Sequence, residues 1–381
     1  MPITGNWSYP TTVRFGPGRI QELGEACAYA DIERPLFVTD KTLAKLPITH
    51  QVLGLLDEAG LGGSLFAEVD PNPTDANLND GIYAYKDGDH DGVVVLGGGS
   101  ALDLGKLIAF MVNQSLPFWE FEDVGDNWTR ADATAITPIV AIPTTAGTGS
   151  EVGRAGVITN SKTQTKQIIF HPNLLPRIVI CDPELTVGMP LSITVGTGMD
   201  AFSHCLEAYS SRSYHPMSQG IALEGMRLVK KYLPRVVQNP NDIESRAHMM
   251  SAAAMGAVAF QKGLGAIHAV SHPVSVIYNT HHGMTNAVVI PPVLAFNRRI
   301  IESRISRASY YLEIEGGFDG FYDFVVEFRR SLGVPEKLRE LGVQHDHIEQ
   351  MTKMALADPS GHGNPVPLNR DNVRALFQAC I

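Results

Sequence analysis

Apolar and polar positions follow two rhythms along this chain. In the first half, short apolar runs alternate with stretches whose apolar residues recur at helical spacing. The runs at 36–39, 65–69, 92–96, 138–142 and 179–181 predict strands, and 48–59, 75–86 and 101–111 predict helices. GVVVL at 92–96 is apolar without alternation, as expected of a parallel strand covered on both faces. After about residue 181 the strand-like runs become scarce. Helical patterns take over at 198–210, 217–232, 243–260, 265–277, 283–296 and 318–332. The pattern therefore predicts an α/β domain at 1–186 followed by an all-α domain at 187–381.

Composition narrows the class without naming a reaction. The chain has 381 residues, 44% hydrophobic and 18% charged, which excludes disorder. The net charge of −10 argues against a nucleic-acid partner. The apolar stretch at 249–260 is too short to span a bilayer and reads as a buried helix. The N-terminus lacks the basic and apolar regions of a signal peptide. Cys27, Cys181, Cys205 and Cys380 form neither a CxxC pair nor a dense framework, so a reducing, cytoplasmic location is expected.

Two loops suit an anionic ligand. Gly97, Gly98, Gly99 and Ser100 lie between a buried strand and a helix, where close backbone approach and the helix N-terminus favour phosphate. The segment is neither G-x-G-x-x-G nor a P-loop, and a plain tight turn fits it equally well. Asp40 ends an earlier strand. A carboxylate there can accept from a ribose and repel a 2′-phosphate, or it can simply cap a turn. The second loop, 144–151, offers hydroxyls and amides to a phosphate or ribose, or else caps a helix after it.

The histidines are more specific. Seven of the thirteen lie between positions 204 and 282. Asp200 and His204 are four apart on one predicted helix, and His268 and His272 are four apart on another, so each pair shares a face. His281, His282 and Gly283 come next. An i,i+4 Asp–His pair is often only a hydrogen bond, yet one carboxylate and several imidazoles also suit a divalent cation such as Fe²⁺ or Zn²⁺. Cys205 points about 100° away from His204 around the helix and reads as packing.

Taken together, the motifs FGPG (15–18), VTDKTL (38–43), PNPT (71–74), GGGSALDLGK (97–106), PTTAGTGSEV (143–152), DPELT (182–186), TGMDAFSHCLEAY (197–209), GLGAIHAVSHP (263–273) and HGMTNA (282–287) resemble the iron-containing (group III) alcohol dehydrogenase family over nearly the whole chain. The resemblance implies a dinucleotide-binding α/β domain and a helical domain, with the active site in a cleft. It implies Asp200, His204, His268 and His282 as metal ligands and His272 as a proton relay. It implies Asp40, Asn72, Gly98, Gly99, Ser100, Thr144, Thr145, Thr148, Lys166 and Leu185 as the NAD site, with NADP less favoured. The implied metal is Fe²⁺, with Zn²⁺ or Mn²⁺ as alternatives. The implied activity interconverts a small alcohol and its aldehyde or ketone, a hydroxy acid and its semialdehyde included. A homodimer or larger homo-oligomer is expected, without a membrane or nucleic-acid partner.

Three positions depart from the family pattern. Lys262 stands just before GLG, where it could meet an anionic substrate or face solvent. His281 is an extra imidazole beside His282. Tyr214-His215-Pro216 replaces a commoner Ala-Asn-Pro. Competing readings are a lyase resembling dehydroquinate synthase, a glycerol-dehydrogenase-like metalloenzyme, and an inert scaffold.

Overall fold

The computed structural model describes residues 11–163 and 165–381. Contacts divide the chain into two units. One reaches to Thr145 and resumes as Gly149–Gly188; the other contains Ala146–Thr148 and Met189–Ile381.

The first unit is an open parallel sheet. Its strands and helices run β1 (Thr12–Phe15), α1 (Leu23–Tyr29), β2 (Pro35–Asp40), α2 (Pro47–Glu58), β3 (Ser64–Val69), α3 (Asp75–Asp87), β4 (Gly92–Gly97), α4 (Gly99–Met111), β5 (Ile139–Pro143), β6 (Ala155–Asn160), β7 (Thr165–Phe170) and β8 (Ile178–Cys181). The sheet order is β1-β8-β5-β4-β2-β3. Alternate residues serve opposite faces. Val94, Leu96, Val140 and Ile142 join the core with Leu23, Val52 and Leu56 of α1 and α2. Val95, on the other face, meets α4 at Gly105, where an added Cβ would lie 3.0 Å away. Covering both faces explains why these strands are continuously apolar.

The chain steps outward from β2 to β3, then returns to place β4 on the other side of β2. The carboxyl ends of β2 and β4 thus flank a topological switch point, where open α/β sheets hold ligands.

The hairpin β6–β7 is antiparallel and was not expected from the pattern. Its strands mix polar and apolar residues, and no Asn-Gly or Asp-Gly marks the turn. Buried polar ties dock it on α4. Asp103 accepts from Val157 N at 3.0 Å, and Lys106 donates to the carbonyls of Ser150 (3.1 Å) and Ala155.

The second unit is helical: α5 (Leu191–Ser210), α6 (Pro216–Gln238), α7 (Ile243–Ala259), α8 (Ala266–Tyr278), α9 (His282–Tyr311), α10 (Gly317–Ser331), α11 (Ile348–Ala357) and α12 (Arg370–Cys380). Three of these outrun the expected ranges. α5 begins seven residues before 198, α6 runs on past 232 to Gln238, and α9 runs on past 296 to Tyr311, with Pro291 and Pro292 inside it. A proline at 292 leaves the carbonyl of Val288 without its helical donor. Arg329 on α10 supplies one instead, Nη1 to Val288 O at 3.3 Å. His215 is buried and caps α6, its Nδ1 accepting from Ser218 N at 3.2 Å, a role that asparagine also fills. All four cysteines are buried and free. No helix among the described residues is long and apolar enough to cross a membrane.

Candidate functional site

In the helical unit, α5, α8 and α9 bring four of the expected residues together. Asp200 and His204 share a face of α5, His268 lies on α8, and His282 opens α9. The Nε2 atoms of His204, His268 and His282 lie 3.8, 3.7 and 3.7 Å from Asp200 Oδ1. The ligand atoms of Asp200, His204 and His268 all fall within 4.8 Å of one another, and these three residues are buried. A tetrahedral set with bonds of about 2.1 Å places its ligand atoms about 3.4 Å apart. Asp200, His204 and His268 therefore stand somewhat wider than a bound set, and His282 reaches Asp200 at 3.7 Å while lying outside that mutual group.

The helices approach closely because glycine occupies their contact. An added Cβ on Gly283 of α9 would lie 2.1 Å from Gly196 O of α5. Only a residue without a Cβ permits that approach.

The electrostatics arise from burial and mutual contact. Burial raises the Asp200 carboxyl, but His204, His268 and His282 outweigh it and hold the group far below the usual range. Burial pushes His204 down to about 4, which keeps its imidazole neutral and its lone pair available. Burial also opposes charge on His268, but Glu207 and Asp200 overcome it and raise that imidazole to about 9.

In the α/β unit, Asp40, Gly98, Gly99, Ser100, Thr144 and Thr145, expected at a nucleotide site, lie at or just beyond the carboxyl ends of β2, β4 and β5. Gly97 ends β4 at φ +154°. Gly98 caps α4, so Gly99 and Ser100 already form its first turn, two residues earlier than the pattern suggested. The N–H groups there have no helical partner and point outward. Asp40 ends β2 beside Gly97: its Oδ2 is 3.9 Å from where a Cβ on Gly97 would stand. Its Oδ1 accepts from Thr42 N (2.8 Å) and Leu43 N (2.9 Å), so one oxygen does cap a turn. Ser100 Oγ donates to Pro71 O at 2.6 Å, joining the glycine turn to the Asn72 loop. Thr144 N donates to Gly97 O at 3.0 Å, and the Thr145 side chain lies against Gly98. Lys166 on β7 is registered opposite Thr159, whose N–H donates to Pro73 O at 2.8 Å. Leu185 packs on the sheet core, and Thr148 falls in the helical unit.

Comparison with known proteins decides the family. The family description "Iron-containing alcohol dehydrogenase" matches residues 10–183, and "Fe-containing alcohol dehydrogenase family, C-terminal" matches 194–381. The chain belongs to the iron-containing alcohol dehydrogenase family. It is 34% identical to a 4-hydroxybutyrate dehydrogenase of Cupriavidus necator over 97% of this chain and 98% of that one. It is 32% identical to an NAD-dependent methanol dehydrogenase of Bacillus methanolicus, over 94% and 95% of the two chains. Among solved structures, a 1,3-propanediol oxidoreductase superposes with a TM-score of 0.94 at 32% identity, covering 99% of this chain and 100% of that one. The protein is thus an oxidoreductase of the alcohol dehydrogenase type, acting on small alcohols and aldehydes. These matches favour that reading over the lyase and the scaffold.

Within this member of the iron-containing alcohol dehydrogenases, three residues near the centre escaped sequence reasoning. Glu207 Oε2 is 2.6 Å from His268 Nδ1, and its Oε1 accepts from Ile267 N at 2.6 Å. Asn286 Nδ2 donates to Asp200 Oδ1 at 2.8 Å. Asp358 Oδ2 lies 2.7 Å from His272 Nδ1, and the His272 ring stacks on His282 at 5.1 Å. A sequence signal existed for Glu207, seven residues after Asp200 on one helix face, and for Asn286, one turn after His282. Asp358 had none, being 86 residues from its partner.

The departures from the family pattern also resolve. Lys262 does not face solvent. It is 2% exposed, and its Nζ donates to the carbonyl of Ala208 at 2.8 Å and also to that of Ser211, at the C-terminus of α5. Arg304 of α9 donates to the carbonyls of Ser210 (2.7 Å) and Ser211 (2.6 Å). Helix ends carry unpaired carbonyls and partial negative charge, so two cations there satisfy both. Burial and the neighbouring Arg304 push the Lys262 amine down to about 7. His281 caps α9, its Nδ1 accepting from Met284 N at 3.3 Å, and its ring lies against Gly196. Cys205 is buried, and burial pushes its thiol up to about 12, consistent with packing.

Proposed function

We propose that this enzyme is a metal-dependent, NAD-linked alcohol dehydrogenase working as an aldehyde reductase, with Asp200, His204, His268 and His282 as the cation's ligands. The observation that carries this is the placement of three imidazole Nε2 atoms at 3.7–3.8 Å around one buried carboxylate oxygen. Fe²⁺ is the favoured ion from the family, with Zn²⁺ or Mn²⁺ able to use the same donors. When bound, the cation supplies Lewis acidity toward the substrate oxygen, and NAD supplies the hydride acceptor or donor.

The chain's own residues do the positioning. Glu207 accepts from His268 Nδ1–H, which fixes the tautomer and leaves Nε2 with its lone pair. Asp358 holds His272 in the same way, so His272 Nε2 is the atom that carries a proton to or from the substrate oxygen. Asp200 contributes one negative charge against a divalent ion and neutral imidazoles, which leaves the centre positive toward a developing alkoxide.

For the cofactor, the first turn of α4 with Gly98, Gly99 and Ser100 suits a pyrophosphate. Asp40 Oδ2 suits ribose hydroxyls and disfavours a 2′-phosphate. Asn72, Thr144, Thr145, Thr148, Lys166 and Leu185 complete the proposed contacts. A solved family structure at 26% identity, a sulfoacetaldehyde reductase from Bifidobacterium kashiwanohense, is titled as a complex with NAD⁺ and has a TM-score of 0.89 over 100% of this chain and 99% of that one. With Lys262 committed to the end of α5, the proposed substrate is a small neutral aldehyde. A cytoplasmic homo-oligomer completes the reading.

The test is a substrate panel on chelator-stripped protein reloaded with Fe²⁺ or Zn²⁺, using NADH and NADPH. NADH oxidation by an aldehyde that disappears on stripping and returns on reloading supports the proposal. Turnover unaffected by stripping refutes it.

A further inference from the structure

Asn286 sits one turn beyond His282 on α9, and no step of the proposed reaction uses it. Its side chain is buried among the groups that would ligate the cation. Besides its 2.8 Å bond to Asp200 Oδ1, its Nδ2 lies 3.1 Å from His282 Nε2 and 3.3 Å from His268 Nε2. One amide group therefore touches three of the four donor atoms, drawn from α5, α8 and α9.

The orientation of that amide is dictated by its neighbours. Turned over, its oxygen would face the carboxylate of Asp200, acceptor against acceptor. Held as it is, Oδ1 is buried without a hydrogen-bond partner among the described residues. A buried acceptor left unpaired is unfavourable, and one that persists calls for an explanation. Here the explanation is that both N–H groups are committed to the donor cluster.

We infer that Asn286 is a positioning residue of the metal centre, holding Asp200, His268 and His282 in ligating geometry before the cation arrives. This rests on the ligand assignment under the proposed function. Buried acceptors crowded into a small volume repel one another and tend to splay. An amide has two hydrogens to share among them. Its shortest bond goes to a carboxylate oxygen, which has lone pairs enough to keep that bond and still ligate. The close approach at Gly196 and Gly283 brings α9 within reach of Asp200. A glutamine would be too long for that gap, an aspartate would add repulsion, and an alanine would leave Asp200 without its donor.

The experiment measures Zn²⁺ affinity by chelator competition on full-length wild type, Asn286→Ala, Asn286→Leu and Asn286→Ser, with Tm recorded for each stripped and loaded protein. Co²⁺ absorption spectra report ligand geometry independently of turnover. Positioning predicts Zn²⁺ affinity lowered about 10–100-fold for the Ala and Leu variants, as for other outer partners of metal ligands. It predicts a smaller loss for Ser, which keeps one donor, and an altered Co²⁺ spectrum. A purely structural role lowers stripped and loaded Tm alike and leaves affinity within twofold, which overturns the inference. Tighter binding overturns it too, because the amide would then compete with the cation. Asn286→Leu, closer in volume, serves if Asn286→Ala does not fold. If wild-type affinity is unmoved by Asp200→Asn and His282→Ala, the ligand assignment fails and this inference falls with it. If those two weaken binding and the Asn286 variants do not, only the inference fails.

Discussion

The crevice between β2 and β4 is made mostly of backbone, whereas the centre on α5, α8 and α9 is made of side chains. At the crevice, Gly97, Gly98 and the first turn of α4 offer N–H groups that any sequence of the right shape would present. At the centre, three imidazoles from three helices must come within 4 Å of one carboxylate oxygen, and two of the four groups are held by further side chains: His268 by Glu207, Asp200 by Asn286. The difference teaches where substitution should hurt. A backbone site tolerates side-chain loss but not an added Cβ, while a side-chain site loses function through single atoms.

The sharpest break is Asp200→Asn, which removes the one negative ligand. Steady-state reduction should fall about 10³-fold or more, since a Lewis-acid contribution is worth several kcal/mol. Retention of more than a tenth of wild-type activity with bound metal would sink the assignment.

Next is a buried acid in the α/β unit. Glu151 is 3% exposed, and burial raises its carboxyl from 4.5 to about 7, with Lys106 only partly opposing. The folded protein thus binds that proton more tightly than the unfolded chain. Stability is fullest below pH 4.5 and falls as pH rises through 7, by about 3 kcal/mol at roughly 1.4 kcal/mol per pH unit. Glu151→Gln should match wild type near pH 4.5 and exceed it at pH 8 in denaturant melts. Parallel pH profiles for the two proteins would refute this.

Glu207→Gln tests the support of the centre, with a predicted 10–100-fold weaker Zn²⁺ affinity in chelator titrations. Smallest is the crevice. Gly97→Ala sets a side chain at φ +154°, its Cβ 2.6 Å from that of Ala101. Strain of about 1–2 kcal/mol should raise KM for NADH about tenfold. Thr145→Val should move it less, and the reverse order would erase the contrast between the two sites.

Legibility in the sequence divides along the same line. Asp200 with His204, and His268 with His272, were legible because helical geometry fixes i,i+4 neighbours. The glycine turn was legible because strand and helix flank it directly. His281 and His282 could not be separated by periodicity alone; the helix begins between them, making one a cap and the other a group aimed at Asp200. Asp358 was hidden because its partner lies 86 residues away, and Glu207 showed its helix face but not its partner, 61 residues on across helix packing. The β6–β7 hairpin was hidden because its stability comes from docking on α4, through Asp103 and Lys106, and not from its own pattern. Lys262 misled for a related reason: a charged residue beside a ligand helix suggests substrate, and only the fold supplies the carbonyls that claim it.

That lysine has a practical consequence. An amine sealed against the last carbonyls of α5 is shielded from acylating reagents while the helix junction stays closed. Its rate of modification, followed by peptide mass spectrometry, would therefore clock how often the support beneath the ligand helices opens. A bound cation that ties α5, α8 and α9 together should slow that clock, while leaving the surface lysines to react at their usual pace.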